Sequence, residues 1–173
     1  MIWALAAVVY LAVAAQSARA ATPLTGEGLT GAGKSTGGST FGSCSYRYSE
    51  SGSMGFSVTG TATGPYPGSF SETGTFSLSG IRNPPWKINF SAAFTITSGN
   101  TTITGTFASP SYAWWGVGFI CNNTGGVAGY SLNGPVTYTA TINGHTFQGT
   151  GSFTGTLYAK SGATDSVSVS MTT

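Results

Sequence analysis

Charge is nearly missing from this chain of 173 residues, which has six Lys and Arg and four Asp and Glu, 6% in all. Soluble domains usually carry roughly 25%, so the polar surface here has to be made of Ser, Thr, Asn and Gly. Disorder does not explain the shortage. Disordered chains are poor in apolar and aromatic residues, whereas this one is 40% hydrophobic and 13% aromatic. A formal net charge of +2 provides little long-range field, so nucleic acid is not expected as a partner. Histidine is represented by His145 alone and cysteine by Cys44 and Cys121, too few ligands for a His/Cys metal site. No cofactor is implied. Past the N-terminal segment there is no helical periodicity, only alternation.

The one long apolar run, residues 2–15, is too short for a good membrane span. Ala18 and Ala20 place small residues where a signal peptidase reads, so residues 1–20 are predicted to be a signal peptide cleaved after Ala20. The basic residues that normally open such a segment are lacking, and an uncleaved anchor is the alternative. Either way the chain is read as secreted or surface-associated. In that setting two cysteines are most simply one disulfide, Cys44–Cys121.

Residues 21–39 are rich in Gly, Thr and Ser and read as a flexible leader, with the folded domain at 40–173. The leader contains Gly28-Leu29-Thr30-Gly31-Ala32-Gly33-Lys34-Ser35, which satisfies the spacing of a phosphate-cradling loop. That loop works only between a buried strand and a helix N-terminus. Neither surrounds it here, so no nucleotide is expected.

Residues 55–79 are the clearest unit: two alternating runs joined by Gly64-Pro65-Tyr66-Pro67-Gly68. Phe56 and Val58, then Phe70, Phe76 and Leu78, share the apolar parity, and Ser and Thr hold the other. The same design recurs at 87–107 and 136–159, with hairpin turns at Ser98-Gly99-Asn100 and Asn143-Gly144 and a closing strand through Val167, Val169 and Met171. A first strand is placed at 40–49. Residues 58–63 and 136–141 echo each other, which implies a repeated β-meander. Residues 109–135 break the rhythm and read as a long irregular connection, the kind of segment that often carries function.

The pattern predicts an all-β domain, a single antiparallel up-and-down β-barrel of about eight or nine strands, with a two-sheet β-sandwich as the alternative. Glycines at 60, 74, 105, 149, 151 and 155 fall on the apolar parity. They permit either tight coiling around a solid core or a modest ligand cavity. Alternation alone does not say which face is inside. An outer-membrane pore, its apolar face on lipid, is the further alternative.

Residues able to do chemistry are few. Glu27, Glu50 and Asp165 read as solvated or turn residues. Glu72 shares the parity of Phe70 and Phe76, so it is expected to point inward, where a carboxylate needs a partner or water. It is either a structural ion pair with Arg47, Arg82 or Lys87, or turned outward by a bulge, or an anchor for a ligand. His145 reads as an exposed turn residue, and no catalytic constellation can be assembled. Tyr112, Trp114 and Trp115 form the best interaction candidate: a platform for a sugar ring or protein partner, or a lid that buries its tryptophans over the barrel end. Glycosylation triplets begin at Asn89, Asn100 and Asn122.

The stretch GTATGPYPGSFSETGTF, residues 60–76, resembles a hairpin of bacterial exported β-domain proteins of unknown function. The overall plan is similar to small calycin-type barrels such as avidin-like and lipocalin-like proteins. The resemblance implies export and a β fold, and it implies no catalytic residue. The expected function is therefore binding without catalysis. A small apolar molecule or a polysaccharide would sit at the barrel mouth, with Glu72, Tyr112, Trp114 and Trp115 as the contact residues. A structural or adhesive surface module is the alternative, and an enzyme using Glu72 and His145 in a lumen is a third.

Overall fold

In the computed structural model of the chain, the described residues are 23–44, 48–79, 87–111 and 113–172, with the backbone alone for 48–50. The proposed signal segment, Arg47, Arg82 and Tyr112 lie outside them. Nine strands follow in order: β1 (Gly28–Ser43), β2 (Tyr48–Thr63), β3 (Gly68–Ser79), β4 (Lys87–Ser98), β5 (Thr101–Ala108), β6 (Gly116–Cys121), β7 (Val127–Ile142), β8 (His145–Tyr158) and β9 (Thr164–Thr172). They form one antiparallel sheet in the order β5-β4-β3-β2-β1-β9-β8-β7-β6, and a further β5–β7 pairing closes it into a ring. The arrangement is barrel-like, and sequential strands are neighbours except at one place.

That place is the outer edge of β7, which is shared. β5 pairs with residues 137–142 of β7, and β6 pairs with residues 127–133. The chain leaves the wall between Ala108 and Gly116 and then resumes the same line. Pro135, which has no N–H to donate, falls in the gap where neither β5 nor β6 pairs. Residues 109–135 are thus not one irregular connection. They hold β6 and half of β7, whose alternation is thinned by Gly116, Gly118, Gly129 and Gly134.

The leader reading is also corrected. Residues 28–43 form β1, which pairs with β2 on one side and β9 on the other. The expected strand at 40–49 falls instead on the end of β1 and the start of β2, with residues 45–47 outside the described ones. Leu29 is the one large apolar side chain in the first half of β1, and it is fully buried. At the next inward position, Gly31, the apolar face is completed by a neighbour. A Cβ built on Gly31 would come within 2.9 Å of the Phe70 ring, and one on Gly60 within 2.8 Å. Upstream, Gly26 N–H donates to Met171 O at 2.9 Å, and Leu24 is fully buried. The run matching a phosphate loop is extended strand from Gly28 to Ser35, with no helix after it.

Apolar faces point inward. On β7, Leu132, Val136, Tyr138, Ala140 and Ile142 are buried, and Ser131, Asn133, Thr137, Thr139 and Thr141 between them are exposed. This is the reverse of a wall that faces lipid. Both expected hairpin turns form. Asn143 and Gly144 take φ of 50° and 80°, the left-handed pair that a type I′ turn requires.

Rings meet across the interior. Phe153 of β8 lies 4.5 Å from Phe90 of β4 and 6.5 Å from Phe56 of β2, centroid to centroid. Phe76 of β3 lies 5.9 Å from Tyr130 of β7. Inward glycines receive these rings instead of leaving a void: a Cβ on Gly105 would fall 2.5 Å from Phe94, and one on Gly155 2.8 Å from Phe153.

The upper ends of β1 and β6 are joined by the disulfide Cys44–Cys121, with a Cα–Cα distance of 6.1 Å. A bridge between Ser43 and Gly126 supports the junction, as does Cys44 N–H donating to Gly125 O at 2.9 Å. The pairing expected from composition is present.

Candidate functional site

Glu72 points inward, as its parity requires. It lies in a row between Val58 of β2 and Phe94 of β4, in unbroken register, so no bulge turns it out. Its side chain is 1% exposed, and neither carboxylate oxygen has a hydrogen-bond partner among the described residues. Lys87 is not the ion-pair partner: it is exposed, and it pairs with Ser79 at the far end of β3. Burial in apolar surroundings pushes the Glu72 carboxyl up to about 8, because removing water penalises the charged form. At neutral pH Glu72 is therefore a neutral acid.

Two further carboxyls, read from sequence as solvated or turn residues, are also fully buried. Glu27 accepts the Tyr66 N–H at 2.9 Å and so fastens the Gly-Pro-Tyr-Pro-Gly turn to the segment before β1. Desolvation raises its pKa, with the Tyr66 bond opposing. Asp165 accepts the Tyr158 N–H at 2.9 Å and ties the end of β8 to the start of β9. Desolvation raises it to about 6, with the Tyr158 bond opposing. Ser35 Oγ donates to Tyr158 O at 2.6 Å from the opposite side. Both acids hold chain ends together. Glu27 precedes β1 and sits in no alternating run, whereas Asp165 shares the parity of Val167, Val169 and Met171 and reads as a turn residue only because it stands at the start of that run.

The tryptophan pair divides. Trp115 continues the inward parity of Val117 and Phe119 and is 9% exposed. It packs 5.6 Å from Phe90, 5.9 Å from Phe153 and 6.2 Å from Phe76. Trp114, of opposite parity, is 77% exposed. The pair is thus neither a lid over the barrel end nor a double platform: one ring is core and the other is surface. Tyr112 lies outside the described residues. Gly134 makes room for Trp115, since a Cβ there would fall 2.2 Å from the indole. Gly134→Ala is expected to displace that ring, at a cost of about 1–3 kcal/mol. Urea denaturation followed by tryptophan fluorescence checks this; an unchanged midpoint would mean that the ring yields freely.

His145 is exposed just beyond the Asn143-Gly144 turn, so the inward Glu72 and the outward His145 do not form a lumen pair. Asn122 closes the β6–β7 hairpin. Its side-chain oxygen accepts from Thr124 N–H at 3.0 Å and Gly126 N–H at 2.8 Å. On the outer wall, β6, β7 and β8 frame a shallow depression of about 380 Å³; Trp114 precedes its lining residue Gly116 by two positions in the chain. The described cations Lys34, Lys87 and Lys160 are all exposed, while the described carboxyl side chains are all buried.

Comparison with known proteins finds no matching family model, no matching curated protein and no matching solved structure.

Proposed function

We propose that this chain is an exported, non-enzymatic binding module that works through its outer wall, as a surface-associated or adhesive domain. One observation carries the reading. Aromatic rings from β2, β4 and β8 meet in the interior, while Trp114 stands 77% exposed on a wall of Ser and Thr. A large aromatic exposed on a surface this poor in charge is a contact residue in search of a partner. The disulfide is compatible with an extracellular protein. Secretion is part of the proposal. A surface dominated by Ser and Thr would serve for packing against wall polymer, matrix or other copies.

The test is co-sedimentation of the oxidised protein with insoluble polysaccharide and with isolated cell walls. The protein is expected in the pellet, and Trp114→Ala is expected to reduce the bound fraction several-fold while leaving the fold intact. Equal pelleting of both forms would remove Trp114 from the contact, and absence of pelleting would overturn the reading.

A second reading rests on the two unpartnered oxygens of Glu72. A small apolar ligand carrying a hydrogen-bonding group would satisfy them from inside the barrel. Glu72→Gln would then lower the affinity for that ligand while folding survives.

A further inference from the structure

The depression on β6, β7 and β8 is built from two rows of outward positions. Gly116, Asn133 and Thr154 are cross-strand neighbours in one row, and Gly118, Ser131 and Thr156 in the other. The two outward positions of β6 that line the depression, Gly116 and Gly118, are glycines, so that side has no side-chain wall there and a ligand can approach the backbone itself. The remaining four positions supply one amide and three hydroxyls. Ser131, Asn133 and Thr154 are exposed and Thr156 is half-buried, so their polar groups are accessible from outside. No charged side chain lines the depression. Trp114 does not line the depression, but it is 77% exposed and falls two residues before Gly116, at the same outward parity.

We infer that this furrow is a binding site for a neutral polysaccharide. A sugar ring offers hydroxyls around its rim, which match Asn133, Ser131, Thr154 and Thr156, and an apolar C–H face, which matches an indole. The other macromolecules fit less well. A nucleic acid or an anionic polymer needs cations to pair with its charge, and none lines the site. A lipid surface needs a broad apolar face, and the outward side chains here are Asn, Ser and Thr. An extended peptide adds to a free strand edge; the edge here is the far side of β6, which pairs only with β7, whereas the polar rows of the furrow lie on the face of the sheet.

The inference rests on the outer-wall reading above and narrows it to one ligand class and one place. Affinity electrophoresis of the oxidised protein through gels containing soluble neutral polysaccharides (a mixed-linkage β-glucan, a xyloglucan, a galactomannan) tests it. At least one polymer is expected to retard the protein. Trp114→Ala should weaken that retardation at least tenfold and Asn133→Ala about threefold, whereas Ser71→Ala on β3 should leave it unchanged. Gly118→Val puts a side chain on the floor. Its Cβ would meet the rotatable Ser131 hydroxyl at 2.5 Å, so the fold should tolerate it while binding is lost. Circular dichroism confirms folding of each variant. Retardation that is insensitive to Trp114, Asn133 and Gly118 together would overturn the furrow assignment. So would pelleting with cell walls in the absence of any retardation, although that outcome leaves outer-wall binding standing. Failure of both assays would overturn both.

Discussion

Replacing Glu72 by Gln is expected to stabilise the protein at pH 8–9 and to change little at pH 4. The native Glu72 carboxyl titrates near 8, against an ordinary value of 4.5. Below both values it is protonated whether the chain is folded or not, so it contributes no pH dependence. Between them the unfolded chain releases the proton and the native state keeps it. The native state then binds more protons, and stability falls as pH rises. Above about 8 both states are ionised and the loss is complete. One pKa unit corresponds to about 1.36 kcal/mol, so the interval is worth on the order of 4–5 kcal/mol, a large share of a typical domain's stability. Gln has nearly the shape of the protonated acid and never ionises, so the variant should lack this loss. Asp165, raised to about 6, adds a loss of the same sign at lower pH, and the variant should keep that part of the slope. Urea midpoints of both proteins from pH 4 to 9 check this. A variant that loses stability at pH 9 as steeply as the parent would show that Glu72 is charged and partnered in the native state.

Reduction of Cys44–Cys121, or replacement of both by Ser, is expected to cost about 4 kcal/mol. The bond closes a loop of 77 residues, and the chain-entropy relation gives this magnitude for loops between 15 and 100 residues. The position of the bond matters too. β1 extends beyond its pairing with β9, which ends at Lys34, and its far end is held against the β6–β7 hairpin by the disulfide, the Ser43–Gly126 bridge and the Cys44–Gly125 hydrogen bond. Without the covalent tie, this upper end should open before the lower barrel. Hydrogen exchange would show it: amides at 40–44 and 121–127 should lose protection first in the Ser variant. Uniform loss across the sheet would contradict the local role.

The fold class was legible because most strands carry their own alternation: β3, β4, β5 and the second half of β7 each present several large apolar residues at one parity. β1, β6 and the first half of β7 were not. Their inward positions include Gly31, Gly33 and Gly134, and the rings that cover some of them come from elsewhere in sequence: Phe70 over Gly31, Trp115 over Gly134. A face completed by a neighbour's side chain leaves no local trace. The same logic separates the carboxyls. Glu72 stood among Phe70, Phe76 and Leu78, so its inward aim could be read. Glu27 lies just before β1, where nothing alternates; Asp165 shares the parity of Val167, Val169 and Met171, and extending that run back by one step would have aimed it inward. The division of Trp114 from Trp115 was available from parity alone, by extending Val117 and Phe119 back by one step. It went unread because β6 was not recognised as a strand.

Native mass spectrometry of the oxidised protein purified from its own culture medium would separate a filled barrel from a carrier. With rings meeting across the interior, the expected spectrum is the bare polypeptide with one disulfide, and nothing released on gentle activation. A small molecule that survives transfer from the parent protein and is lost from Glu72→Gln would contradict the filled interior and place the binding site inside the ring.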